Sequence, residues 1–188
     1  RFTFIAMIVL VLAWSMSEIS RELHTADFLI ASLGNSLPAA ALPAVIFVLA
    51  AFTAFSTGSS WGAMGILLPL VLPLCWAIMG MEGLTSGNDY FILYSSVSGV
   101  LAGAVWGDHC SPISDTTVMS SLSAGCDHIE HVRTQLPYAL LAGAAALGAG
   151  TLPTSFGLPW WLGMLAAAAV TVISLRLLGE PVEDYRPE

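Results

Sequence analysis

The sequence predicts an all-α, polytopic integral membrane protein with broken helices, and three observations carry that prediction. Of 188 residues, 56% are hydrophobic and only 10% charged, mean hydropathy is +0.81, and lysine is absent. A water-soluble domain draws on about 25% charged residues to cover its surface. Residues 28 to 81 hold no Asp, Glu, Lys or Arg; as one helix at about 1.5 Å per residue they would far overshoot a hydrocarbon core of about 30 Å. That run must double back. Clusters of Ser, Thr, Gly and Asp interrupt the apolar bulk, and non-helical backbone at membrane depth survives only where it lines a cavity or is buried in protein. A net charge of −8 with five arginines speaks against nucleic acid as a partner. Cys75, Cys110 and Cys126 form neither a disulfide framework nor a CxxC metal site.

Taken in order, the expected spans lie near 2–19, 41–56, 60–80, 90–107 (broken, continuing to 125), 135–152 and 159–178. Residues 1–178 make one transmembrane domain and 179–188 a polar tail. Pro38 and Pro43 suit a helix opening. Ser56-Thr57-Gly58-Ser59-Ser60 interrupts the first long run, with glycine at a helix end and serine capping the next helix. The pair 41–56 and 60–80 either crosses fully or re-enters as a hairpin. Pro69 and Pro73 stand on one face of the second member, and Gly83 to Asp89 is a turn-rich loop. Ser95, Gly99, Gly103 and Gly107 recur every four residues, a ridge that admits a neighbouring helix closely. Residues 151 to 159 turn the chain between the last two spans, where Trp160, Trp161 and Tyr138 read as interface anchors. Glu18 and Arg21 read as an interfacial pair.

Arg1, Arg133, Arg176 and Arg186 fall on one face and Arg21 alone on the other. The positive-inside rule then places the C-terminus in the cytoplasm of a multi-pass plasma (inner) membrane protein. The start, RFTF before an apolar stretch, lacks a persuasive cleavage site, and the chain reads as a piece of something longer.

The chemistry concentrates in residues 107 to 117, GDHCSPISDTT. Pro112 cannot donate a backbone hydrogen bond and disfavours helical geometry at Ser111. The expected solution is a helix ending near Gly107, an unwound stretch, and a second helix with Ser111 at N-cap, Pro112 at N1 and Gly125 at its end. Asp108, Asp115, Ser111, Ser114, Thr116 and Thr117 offer hard oxygen ligands suited to Na⁺ rather than a soft metal. A carboxylate withdrawn from water holds its proton more tightly, so a proton and a cation compete for it. Ser56, Thr57, Gly58, Ser59 and Ser60 form a second hydroxyl-rich break that would face the first; the plainer alternatives are a tight turn there and an interfacial loop at Asp108 and Asp115. His109 is a candidate proton relay or a packing histidine. Asp127-His128-Ile129-Glu130-His131 departs from the H-E-x-x-H zinc spacing and reads as an interfacial loop leading into the span at Gln135.

The stretch 107–141, GDHCSPISDTTVMSSLSAGCDHIEHVRTQLPYALL, resembles the NhaC-type Na⁺/H⁺ antiporter family of the wider ion-transporter superfamily. Residues 51–70 resemble that family's serine–threonine segment, and residues 14–29 fit more loosely. The resemblance implies a secondary transporter of two inverted repeats, of which this chain looks like the C-terminal one, with the N-terminal repeat missing. It implies that the cation and proton site is Asp108, Ser111, Ser114, Asp115, Thr116 and Thr117, with the 56–60 break facing it. Na⁺ is then the only metal, held through Asp108 and Asp115. No cofactor is expected and no enzymatic activity; the partners are Na⁺, H⁺, the lipid bilayer, the missing repeat and, as an option, a second copy. Relatives exchanging organic acids such as malate and lactate, or amino acids, make such exchange the alternative function. Two further classes are a membrane metallo-enzyme using Asp108, His109, Asp115, His128 and His131, and a non-transporting scaffold.

Overall fold

The computed structural model describes residues 37–179, together with Val11, Ser15, Glu18, Ile19, Glu22, Leu23, His24 and Phe28. The expected first span, the Glu18–Arg21 pair and the polar tail therefore lie outside the described residues or are described only at isolated positions. Among the described residues there are helices and no strands, and five helical stretches are long and apolar enough to cross a membrane. The all-α, polytopic expectation holds.

A 3₁₀ turn at Ala39–Ala41 leads into α1, Leu42–Thr57, with Pro43 in its first turn. Gly58 ends α1 in the left-handed region at φ 66°, a conformation glycine adopts without steric cost. Ser59 then caps α2, Ser60–Met81, by accepting a hydrogen bond from the Gly62 amide at 3.2 Å. At 22 residues, α2 is about 33 Å long and matches the hydrocarbon thickness; it contains both Pro69 and Pro73. Glu82, just beyond it, accepts from the Ala39 amide at 2.9 Å and ties its end to the start of α1. Then follow α3, Tyr90–Cys110; a short α4, Asp115–Ala124; α5, His128–Ala145; and α6, Trp160–Leu178. The helix begun by α5 runs on through a π-helical turn at Ala146–Thr151 to Ser155, so the last connection is only Phe156 to Pro159. A π turn inside a helix often marks a functional position.

The core lies between α1, α2 and α3 and is built of small and medium side chains, among them Ala50, Ala54, Ala63, Leu67, Val71, Ile78, Val100 and Ala104. Its decisive contact is α1 against α3. A Cβ placed on Gly99 would stand 2.8 Å from the Pro43 carbonyl oxygen; on Gly103 and Gly107 it would collide with the backbone carbonyls of Phe47 and Ala51. Both series advance by four in the same direction, so α1 and α3 run parallel, backbone on backbone, as small-residue ridges permit. Gly107 therefore serves packing and not helix termination, and α3 continues three residues past the expected end, to Cys110. Much of the remaining apolar surface is exposed, including Phe52, Trp61, Leu165 and Leu177. Such a surface fits a lipid solvent and not water. Trp160, Trp161 and Tyr138, expected as interface anchors, are exposed too.

Gly107→Val is expected to destabilise the fold by about 1–3 kcal/mol, the usual cost of forcing atoms into a filled contact. Gly80→Ala, where a Cβ meets nothing within 4 Å, serves as the neutral control. Thermal unfolding in detergent reads both, and equal melting temperatures would contradict the backbone contact.

Candidate functional site

The glycine ridge sets the level at which two interruptions meet. One register step beyond Gly107 stands Ser111, the first residue after α3, and its Oγ donates to the Phe55 carbonyl at 2.7 Å. The next contact is backbone on backbone: a Cβ on Gly58 would lie 2.8 Å from the Ile113 carbonyl oxygen. The break after α1 is thus pressed against the break after α3.

Residues Ser111 to Ser114 are unwound. The Ser111 amide donates to the Asp108 carbonyl at 3.0 Å, closing α3 with a tightened turn. Ser111 donates its hydroxyl to Phe55 and accepts from the Ile113 amide at 3.4 Å, and it is not the N-cap of α4. Ser114, in extended conformation, occupies the N-cap and α4 begins at Asp115, so the expected Ser111/Pro112 start is displaced by three residues. Pro112 lies inside the unwound stretch, where its lack of an amide hydrogen costs nothing. Gly125, at φ 64°, ends α4 as expected.

Four of the expected oxygen ligands gather around this stretch. Asp108, Ser111, Ser114 and Thr117 are buried. Thr116 Oγ1 donates to Asp108 Oδ2 at 3.3 Å, and Ser114 Oγ lies 2.7 Å from Thr116 Oγ1. With the Thr116 proton directed at the carboxylate, Ser114 is the donor in that second pair, so a short hydroxyl relay ends on Asp108. Two buried polar atoms have no partner among the described residues: Asp108 Oδ1 and Thr117 Oγ1. Buried polar groups are otherwise nearly always bonded, and an orphan asks for a missing water, ion or proton.

The other expected residues are placed differently. Asp115 is exposed in the first turn of α4, where its charge complements the helix N-terminus. The His109 side chain is exposed and points away from Asp108's buried position, as neighbours on a helix do. In the 56–60 break, Thr57 Oγ1 donates back to the Thr53 carbonyl at 2.9 Å, Ser59 caps α2, Ser56 is exposed and Ser60 half-buried. Of that segment it is the Gly58 backbone that touches the α3–α4 break.

Two participants escaped the sequence reading. His128 is not in a loop: Asp127 caps α5 by accepting from the Ile129 and Glu130 amides at 3.0 and 3.1 Å, and His128 is its first residue. Its Nε2 lies 2.7 Å from the Pro112 carbonyl and its Nδ1 3.0 Å from Ser121 Oγ. Gln135 Nε2 donates to the His109 carbonyl at 2.6 Å. The spacing of 128 and 135, two helical turns, was the available signal. Among the described residues no three His, Cys, Asp or Glu side chains gather into a metal-binding group, which leaves the zinc-enzyme alternative without a centre there.

Thr117→Val is expected to leave the melting temperature unchanged or raise it, since the hydroxyl removed has no partner. Ser111→Ala strands the Phe55 carbonyl and is expected to cost about 1–3 kcal/mol. Comparable losses in both would mean that the Thr117 hydroxyl is bonded.

The model of the Na⁺/H⁺ antiporter family matches residues 2–152. An uncharacterized protein of Haemophilus influenzae is 41% identical over 168 residues, 89% of this chain and 30% of that protein. An uncharacterized Na⁺/H⁺ antiporter of the same organism is 36% identical over 98 residues, 50% of this chain and 19% of its own length. The malate-2H⁺/Na⁺-lactate antiporter of Bacillus subtilis is 31% identical over 90 residues, 47% of this chain and 17% of its own length. The chain thus spans less than a third of each of these relatives. No solved structure matches.

Proposed function

We propose, because the chain belongs to the Na⁺/H⁺ antiporter family, that it forms one cation-handling repeat of a secondary transporter that exchanges Na⁺ for H⁺ around Asp108. The observation that carries this reading is the buried carboxylate with one oxygen, Oδ1, left unpartnered beside a broken membrane-length helix. A bare buried charge is costly, and ionisable groups within spans are functional by default. A Na⁺ or a proton on that oxygen removes the penalty. Each removes the same charge, so each displaces the other.

In the Na⁺-bound state, hydroxyl oxygens of Ser114, Thr116 and Thr117 supplement the carboxylate, a hard-oxygen set appropriate to Na⁺ as substrate. When the site opens to the opposite face, Na⁺ leaves and a proton takes its place on Asp108. With the proton on Oδ1, Thr116 goes on donating to Oδ2, so the hydroxyl relay from Ser114 keeps its direction. Discontinuous helices at a repeat interface are the usual seat of such sites. Asp115, exposed at the α4 N-terminus, acts at the mouth of the site. We read the family member as of the NhaC type, the chain as the C-terminal repeat, and its C-terminus as cytoplasmic from the arginine distribution.

A second reading, exchange of small organic acids, is supported by the likeness to the malate-2H⁺/Na⁺-lactate antiporter. It needs a helix N-terminus to receive a substrate carboxylate. Here the α2 start is already capped by Ser59, and the α4 start carries Asp115. An arriving anion meets a competitor at each, so cation exchange ranks first.

The full-length protein in proteoliposomes with an internal pH dye separates these readings. Added Na⁺ is expected to drive proton efflux, with Asp108→Asn lowering the rate at least about a hundredfold and Asp115→Asn less than about tenfold. Wild-type flux that appears only with malate or lactate present would replace the first reading with the second. Unimpaired exchange by Asp108→Asn would remove Asp108 from the site.

A further inference from the structure

One face of α5 addresses the broken helix with hydrogen-bond donors. At its start the ring of His128 reaches the Pro112 carbonyl with Nε2 at 2.7 Å; a carbonyl only accepts, so Nε2 carries hydrogen. Its Nδ1 stands 3.0 Å from Ser121 Oγ, on α4. Two turns further along α5, Gln135 donates to the His109 carbonyl at 2.6 Å. One turn beyond that, the Ala139 carbonyl accepts from Trp106 Nε1 at 2.7 Å, and Gly143 lets the Trp106 ring lie against the α5 backbone. Helix α5 therefore runs antiparallel along the end of α3, fixed at residues 106, 109 and 112 in succession.

Breaking a helix frees carbonyls that a continuous helix would have bonded four residues on. The His109 and Pro112 carbonyls are two of these, and they flank Ser111. Their capture also has a geometric consequence. In an unbroken helix Asp108 and Thr116, eight residues apart, would be separated by about 12 Å along the axis. Here their side chains bond at 3.3 Å. Unwinding of 111–114 brings them together, and the two α5 bonds, beside that of Ser111 to the Phe55 carbonyl of α1, oppose rewinding.

From this geometry we propose that His128 and Gln135 are positioning residues for the cation site, a clamp on the carbonyls either side of Ser111 that holds Asp108 and Thr116 within reach of one ion. The proposal rests on the reading that these two residues hold the transported Na⁺. Neither clamp residue touches the ion. The clamp acts on affinity: with it loosened, the oxygens must be reassembled for each binding event, and that ordering cost appears in the Na⁺ dependence.

The test compares His128→Gln with His128→Asn, and Gln135→Ala with wild type, in the full-length protein reconstituted in proteoliposomes. A glutamine amide reproduces the reach of Nε2 and an asparagine amide only that of Nδ1. Losing the bond to the Pro112 carbonyl, His128→Asn is expected to raise the Na⁺ KM about tenfold with the maximal rate largely kept. His128→Gln is expected to rescue the KM to within about twofold, and Gln135→Ala to raise it severalfold. Equal KM values in the two His128 variants, or a fall in maximal rate at unchanged KM, would overturn the clamp while leaving Na⁺/H⁺ exchange in place. Amide hydrogen exchange at Ile113 and Ser114 gives a readout that needs no transport. It is expected to quicken in His128→Asn and not in His128→Gln, and equal protection in both overturns the clamp even where wild type shows no Na⁺-driven flux.

Discussion

Everything else in the described structure depends on how closely α1 and α3 approach. Three glycines at four-residue spacing let the α3 backbone rest on the carbonyls of Pro43, Phe47 and Ala51. The fourth step of the same register is a hydrogen bond, Ser111 to the Phe55 carbonyl. In that register the two helices end at nearly the same depth. Thr57-Gly58 and Cys110-Ser111 are therefore neighbours, although more than fifty residues apart in sequence. A larger residue anywhere on the ridge would separate the helices and with them the two breaks. The function proposed for Asp108 is in this sense an outcome of packing: the ridge places the break, and the break makes the site.

An interrupted helix in a membrane must satisfy each backbone group it releases. Here several of them find partners. The Asp108 carbonyl is taken by the Ser111 amide, that of His109 by Gln135, that of Pro112 by His128 and that of Ser114 by the Val118 amide. Proline, at the middle of the stretch, has no amide to satisfy. Against this background the two unpartnered side-chain atoms, Asp108 Oδ1 and Thr117 Oγ1, stand out chemically. On the reading proposed above, the bare oxygen of Asp108 is where the ion or the proton sits.

Much of this is legible from the residues. The long apolar runs, the Gly58–Ser59 stop and start, the glycine ridge and the interruption around Pro112 are all local signals, and local signals survive without knowledge of neighbours. Where sequence and structure part, a tertiary contact has overridden a local preference. Gly107 looks like a helix stop, but its missing Cβ is needed against Ala51, so α3 runs on. Ser111 looks like an N-cap before proline, but its hydroxyl is committed to α1, and the cap moves to Ser114. His128 invites comparison only with a zinc template. Asp127 as the cap of a helix, with His128 and Gln135 two turns apart on it, is equally visible but means nothing until the facing carbonyls are known.

The charge inventory constrains what such a site can exchange. Asp108 is the one buried carboxylate among the described residues; Asp115, Glu82, Asp127 and Glu130 are exposed, and Asp89 is half-buried at the start of α3. Hydroxyls help to coordinate a cation but do not change charge between about pH 5 and 9. On the reading proposed above, the one buried carboxylate carries either one Na⁺ or one H⁺, and the described residues by themselves supply a site for exchange in the ratio of one to one. A transporter that moves protons and Na⁺ in unequal numbers needs a second buried titratable group. The described residues hold no second buried carboxylate, so on that reading a second carboxylate would have to come from outside them. On that reading the described residues supply the hydroxyls, the break and a single buried carboxylate, and the exchange ratio is set by what else packs against the site.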